Sequence, residues 1–214
     1  MIRLPEIPSV RTLVLSGLGT LAVLIVAGGI WFWYATLQER AQTVHGDALA
    51  QAYNARTAPG ETGAAIRPAA TKALEAALTQ APNAGLAAQT AYELGNLRYD
   101  QAEFDGARAA WDIALRSARS SVTLRTLART GIAASWEAQR DFARAIDAYK
   151  EALREEKPGQ FHFEEILISL GRNQELAGRR DDAIKSYQRL LKEAPKLKRE
   201  SEVRGRLASL GASG

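Results

Sequence analysis

The chain has 214 residues, of which 46% are hydrophobic and 24% are charged, and its formal net charge at pH 7 is +4. These proportions are ordinary for a folded globular protein, so they argue against an intrinsically disordered chain. Cysteine is absent, which excludes disulfide bonds, thiolate metal sites and cysteine nucleophiles.

The first predicted element is a transmembrane helix over residues 12–34, preceded by a short cytoplasmic tail over residues 1–11. No charged side chain occurs from Thr12 to Gln38. The predicted span is longer than the roughly 20 residues that a helix needs to cross the hydrocarbon of a bilayer. We therefore predict a single-pass anchor that contacts membrane lipid through residues 12–34.

The flanking charges predict the orientation of this anchor. Arg3 and Arg11 precede the span, whereas Arg40 is the only lysine or arginine between the span and Arg56. The positive-inside tendency then places the N-terminus in the cytoplasm and residues 39–214 on the opposite side of the membrane. A cleaved signal peptide is the alternative, but its apolar region would be shorter and would end in small residues. The span ends instead in four aromatic residues that favour the membrane interface: Trp31, Phe32, Trp33 and Tyr34.

Residues 35–83 are predicted to form a connecting helix and a degenerate first helical hairpin. Gln38–Arg56 has a helical pattern, and the proline and glycines of Thr57–Gly63 predict a loop. The following segment carries a small residue at Ala70 that begins a series. Equivalent alanines recur at nearly equal intervals, at Ala107, Ala145 and Ala183.

The segments 91–115, 129–153 and 167–191 repeat one pattern. Each contains a small residue, an aromatic residue four positions later, a small or aliphatic residue three further on, and then leucine. Such a period predicts stacked pairs of antiparallel helices, here three repeats over residues 84–196. The residues predicted to pack between helices are Leu94, Gly95, Ala107, Trp111, Ala114, Ala145, Tyr149, Ala152, Leu170, Gly171, Ala183 and Tyr187.

These repeats resemble the tetratricopeptide repeat (TPR) family, whose pattern is W-x2-L-G-x2-Y…A-x3-F…P over about 34 residues. Leu94-Gly95 and Leu170-Gly171 match its L-G pair, and Pro195 stands in the closing-proline place. The family tryptophan is absent, and the units are slightly longer than those of the family. The resemblance implies an all-α solenoid of antiparallel helix pairs, with a capping helix and a frayed C-terminus over residues 197–214. The layout is also similar to membrane-anchored TPR proteins ancillary to the Sec translocon. This resemblance implies a bacterial inner (cytoplasmic) membrane, with the TPR domain in the periplasm.

The sequence carries no recognisable catalytic constellation. The two histidines, His45 and His162, lie in separate units without metal-ligand spacing, and we expect both at a surface or interface. No phosphate-binding loop or nucleophile elbow is present. We therefore predict no catalytic, cofactor or metal site and no enzymatic activity.

The TPR resemblance implies that the first helix of each pair lines a concave groove that binds a peptide or a helix. The chaperone-binding clamp of one TPR subclass is absent, because Tyr92 and Gly131 stand where its lysine and asparagine are expected. The predicted tyrosines suit partner contacts, yet packing within the solenoid would use them equally. The predicted lining is Tyr92, Asn96, Tyr99, Asp100, Thr130, Ala134, Glu137, Ala138, Ile168, Arg172 and Glu175.

Two functions follow as hypotheses. The first is a membrane-anchored TPR scaffold for protein–protein interactions on the periplasmic side, assisting translocon, chaperone or envelope-complex assembly. The second is a structural accessory subunit of a larger membrane protein complex. Both imply protein partners and lipid contact, and neither implies nucleic acid or a small-molecule substrate.

Overall fold

The structure is a computed structural model that describes residues 10–118, 121–160, 162–194 and 198–212, with side chains from residue 20 onward except that of residue 22. Residues 1–9 of the predicted tail (residues 1–11), the closing Pro195 and the last two residues lie outside the described residues. Every regular element in the described ranges is an α-helix. In chain order these are α1 (Val10–Thr57), α2 (Gly60–Gln80), α3 (Ala87–Asp100), α4 (Phe104–Ser117), α5 (Val122–Ala138), α6 (Phe142–Leu153), α7 (Phe163–Leu176), α8 (Arg180–Glu193) and α9 (Glu200–Ser209).

Consecutive helices pack against each other along the whole described chain. The short connections fold α1 with α2, α3 with α4, α5 with α6 and α7 with α8 into hairpins, and α9 packs on α8. The first helices of neighbouring hairpins also touch, α1 against α3 and α3 against α5. This stack of helical hairpins is TPR-like.

The turn inside each repeated hairpin has one geometry. Ala102, Arg140 and Gly178 have φ values of 60°, 61° and 72° and follow the ends of α3, α5 and α7 at equal intervals along the chain. The amide that follows each of them donates back to a carbonyl five residues earlier, for example Asp141 N to Trp136 O at 2.9 Å. This is the Schellman arrangement that satisfies the last carbonyls of a helix.

Pairs of a small and a large residue form the core of the stack. Ala107, Ala145 and Ala183 are fully buried. The Trp111 ring packs tightly against two helices, because a Cβ added at Gly131 would come within 2.6 Å of it and one added at Gly95 would come closer still. Each of the twelve residues predicted to pack between helices is buried. The alanines and glycines thus let the helices approach, and the aromatic rings fill the remaining space.

The predicted transmembrane anchor is wrong by this structure. Within the described part of the chain, no helix has both the length and the apolar character to cross a membrane. Residues 12–19 of the predicted span lie outside the described side chains. The predicted inner-membrane localisation, and the orientation that depended on the span, are corrected with it.

His45 is buried at an interface between helices, which is one of the two places, surface or interface, where the sequence analysis expected it. Its Nδ1 lies 2.7 Å from Thr90 Oγ1, and its Nε2 lies 3.0 Å from the carbonyl oxygen of Ala81. The ring therefore connects α1 to the end of α2 and to α3. A buried polar ring needs such partners, because leaving them unmade costs about 1–3 kcal/mol per group.

Candidate partner-binding face

The predicted groove residues lie on the first helices α3, α5 and α7 of their hairpins. Asp100 and Ala138 are exposed, and eight others are half-buried. Ile168 is only 2% exposed and belongs to the apolar core around α7, so it offers no surface to a partner. We call the other ten residues the inner face: Tyr92, Asn96, Tyr99, Asp100, Thr130, Ala134, Glu137, Ala138, Arg172 and Glu175.

A carboxylate connects α5 to α7 on this face. Glu137 accepts hydrogen bonds from Arg172 Nη2 at 2.5 Å, from Asn173 Nδ2 at 2.8 Å and from the Tyr149 hydroxyl at 3.1 Å. Burial, followed by the charge of Glu137, raises the pKa of Tyr149 far above its ordinary value. The hydroxyl therefore stays protonated and serves Glu137 as a donor.

The next junction, between α7 and α9, repeats this arrangement. Glu175 accepts hydrogen bonds from the Tyr187 hydroxyl and from Arg206 Nη1, the latter at 3.3 Å. Both acid and tyrosine lie one repeat after their counterparts Glu137 and Tyr149, at the interval that separates Ala145 from Ala183. Two successive junctions thus consist of a glutamate, a tyrosine of the same hairpin and an arginine from the helix that follows that hairpin, α7 at the first junction and α9 at the second.

The junction between α3 and α5 is built differently. Tyr99 stands one repeat before Glu137, and Trp111 stands one repeat before Tyr149. The two rings are tilted against each other with centroids 6.0 Å apart. Trp111 Nε1 is buried, and the described residues give it no hydrogen-bond partner. Of the ion pairs in the described ranges, none joins α3 to α5.

The inner face continues onto α1, which the sequence analysis had not included. A cavity of about 330 Å³ opens between α1 and α3, and Tyr53, which lines it, is 69% exposed. Arg56 Nη1 lies 2.9 Å from Glu93 Oε2, and Arg56 Nε lies 4.0 Å from Asp100 Oδ2. The spacing of Ala48, Ala52 and Ala55 marks the buried stripe of α1 and could have indicated that Tyr53 and Arg56 flank it.

A second ionic cluster closes the hairpin of α5 and α6. Glu155 accepts from Arg125 Nη2 at 2.6 Å and from Arg129 Nη1 at 2.8 Å. These hydrogen bonds lower the pKa of the Glu155 carboxyl to about 2. Among the residues described, no group of three or more histidine, aspartate or glutamate side chains is arranged to hold a metal ion.

Comparison with known proteins adds little to this description. No protein-family model matches the chain, and no curated protein matches it. Among solved structures, a chain titled "Crystal structure of MamA protein" is similar at 19% identity and a TM-score of 0.49, with 67% of each chain covered. The assignment of a TPR-like fold therefore rests on the packing of the helices themselves.

Proposed function

We propose that this protein is a non-enzymatic scaffold that binds other proteins along its inner face. The observation that carries the proposal is the accessible surface of the first helices, where the α1–α3 cleft carries the exposed Tyr53 beside Arg56. Tyrosine and arginine are enriched among the residues that dominate protein–protein binding energies. Half-buried Tyr92 and Tyr99 extend this surface along α3.

A fixed subunit of a larger protein complex is the second candidate. The large apolar side chains described between Leu21 and Tyr34 of α1 are 54–73% exposed. Apolar surface of this extent marks an interaction site in most folded proteins. The role beside a translocon had been suggested by a layout that included a membrane span, so it loses its basis with that span.

Crosslinking in cells that express the full chain, followed by quantitative mass spectrometry, tests the scaffold function. We expect a set of crosslinked proteins whose recovery falls at least about fivefold when Tyr53 and Arg56 are both replaced by alanine, because hot-spot truncations cost more than about 1 kcal/mol each. Lys150→Ala, on an exposed position of α6, is the control. Recovery of one stoichiometric complex that is insensitive to the inner face would favour the fixed subunit.

A further inference from the structure

Another cavity lies between α4 and α6, the second helices of two neighbouring hairpins. Its volume is about 200 Å³, and α5 contributes two of its lining residues. Leu115, Ile132 and Ala148 line it with half-buried apolar side chains. Arg129 and Glu151 complete the lining. The walls of this cavity are therefore mainly apolar, and none of the five residues belongs to the inner face.

The next junction along the chain shows what an equivalent place holds when it is filled. Leu153, one repeat after Leu115, packs in an apolar cluster with Phe163 and Leu167 of α7. Both α7 side chains are buried. The guanidinium carbon of Arg189 lies 5.4 Å from the centroid of the Phe163 ring. An aromatic side chain beneath a guanidinium group therefore completes this junction.

Two arginines replace the apolar side chains at the junction that has the cavity. Arg125 stands one repeat before Phe163. Arg129 stands one repeat before Leu167. Both arginines donate to Glu155, at 2.6 Å and 2.8 Å. Because the carboxylate holds both guanidinium groups, neither supplies the apolar contact that α7 supplies at the next junction. The cavity lies at the place that this exchange leaves open.

The charges beside the cavity favour an anionic neighbour. Glu155 is a single carboxylate shared by Arg125 and Arg129, and we call these three residues the Glu155 cluster. The cluster carries one more positive than negative charge. Glu151 at the cavity is already paired with Arg154, at 3.0 Å. An acidic side chain from outside would therefore meet a net positive group, which is the condition for electrostatic complementarity.

We propose that the cavity between α4 and α6 binds one phenylalanine side chain of a partner protein, in a segment that also carries an acidic residue. The ring takes the place that Phe163 takes at the next junction, and the acidic residue meets the Glu155 cluster. An apolar cavity of about 150 Å³ is sufficient to bind benzene, so a volume of about 200 Å³ accommodates this ring. The site goes beyond the scaffold function proposed for the inner face and does not depend on it.

The test measures binding of three short peptides to the full chain by isothermal titration calorimetry. The first has a central phenylalanine flanked by two glutamates, the second has lysines in place of the glutamates, and the third has alanine in place of the phenylalanine. We expect the first to bind at least about tenfold more tightly than the third, because its ring leaves water. It should bind about threefold more tightly than the second, as expected for a partly exposed ion pair.

Ala148→Leu is the decisive variant because it fills the cavity from within. It should weaken binding of the first peptide at least about tenfold, whereas Ala143→Leu, an equal change at an exposed position of the same helix, should leave binding within about twofold. Arg129→Gln is a second variant, and it needs no room for a larger side chain. It should remove the preference for glutamate over lysine and keep the preference for phenylalanine over alanine.

Methyl NMR of the unchanged protein locates the bound ring, because an aromatic ring current shifts the resonances of the methyl groups beside it. We expect the first peptide to shift the methyl resonances of Leu115, Ile132 and Ala148. Shifts confined to the inner face, equal binding of the first and third peptides, or binding undiminished by Ala148→Leu would each overturn the inference.

A second copy of the chain is the other occupant that the test separates, since Leu176 is 53% exposed. Analytical ultracentrifugation should show no self-association that the first peptide reverses. Self-association that the peptide reverses and that Leu176→Ala abolishes would overturn the proposal in favour of a second copy. Recovery of partners that depends on Tyr53 and Arg56 would be unaffected by any of these outcomes, so the scaffold function is tested separately.

Discussion

The α3–α5 junction and the two junctions after it fill equivalent positions of the repeat with different side chains. At α3–α5 the Trp111 ring lies between Gly95 and Gly131, and its Nε1 finds no hydrogen-bond partner among the residues that the structure describes. At α5–α7 a smaller ring, Tyr149, leaves a hydroxyl that reaches Glu137, which in turn holds Arg172. The same repeat spacing thus accommodates either a close apolar contact or a polar network. At the apolar contact none of the described ion pairs joins the two helices on the inner face, whereas in the polar network Arg172 and Glu137 join α7 to α5.

The largest effect should come from placing a charge at the small residue that both kinds of junction share. Ala107 and Ala145 are fully buried. Arginine at either position would overpack a helix contact and bury an unpaired cation, and we expect it to lower the free energy of unfolding by about 4 kcal/mol or more. Thermal unfolding followed by circular dichroism measures this. Ala109→Arg and Ala143→Arg, at exposed neighbours in the same helices, should melt within a few degrees of the parent protein.

If the buried and the exposed arginines lowered the melting temperature equally, the repeat register would be wrong at both junctions. That register is the part of the fold that the sequence carries best. Spacings of four and three residues fix one face of a helix whatever lies opposite it, so Ala145, Tyr149 and Ala152 could be assigned to the core without knowledge of their neighbours.

The polar contacts across the stack could not be predicted in the same way. Glu137 and Arg172 are far apart in the chain, and their meeting depends on how far α7 slides along α5, which side-chain packing sets. Ile168 shows the same limit, since its position in the predicted groove register did not reveal that α7 is buried more deeply than α3. The inner face of α1 was missed because the apolar run before Gln38 dominated the interpretation of that helix.

The next largest effect on stability should come from replacing the glycines that pack against the aromatic rings. Gly95→Ala and Gly131→Ala should each destabilise the protein by about 1–2 kcal/mol, because the strain of overpacking, about 1–3 kcal/mol, exceeds the gain in helix propensity. Gly46→Ala and Gly205→Ala are matched controls in helices, where an added Cβ meets nothing within 4 Å. Both should stabilise by about 0.5–1 kcal/mol. Urea unfolding measures all four.

Gly171→Ala tests whether an added Cβ is as costly against a tyrosine ring as it is against the Trp111 ring of the α3–α5 junction. Its added Cβ would meet the Tyr187 ring at 2.5 Å, but a tyrosine that moves outward also stretches its hydrogen bond to Glu175. We therefore expect Gly171→Ala to cost at least as much as Gly95→Ala. A stabilising Gly171→Ala would show that the polar junctions yield more easily than the apolar one.

A smaller loss of stability should distinguish removal of the Tyr149 hydroxyl from removal of the Tyr99 hydroxyl. Tyr149→Phe removes the donor to Glu137 at 3.1 Å and should cost about 1 kcal/mol, the usual net value of one hydrogen bond. Tyr99→Phe should change stability by less than about 0.5 kcal/mol, because the described residues give its hydroxyl no hydrogen-bond partner. Denaturant midpoints at constant m-value provide the measurement, and equal losses in the two variants would contradict the contrast between the junctions.

The smallest effect is a loss of stability in acid that comes from the Glu155 cluster of α5 and α6. The hydrogen bonds from Arg125 and Arg129 lower the pKa of Glu155 from 4.5 to about 2 in the folded protein, so the unfolded state takes up this proton first as the pH falls. The stabilisation is complete above pH 4.5 and is lost as the pH decreases toward 2. Because the carboxylate is 29% exposed, solvent screening limits it to about 0.5–1 kcal/mol. Hydrogen exchange of the α5–α6 amides should show that Glu155→Gln weakens protection at neutral pH but not near the lowered pKa, whereas a loss that persists in acid would assign the role of Glu155 to packing and not to its charge.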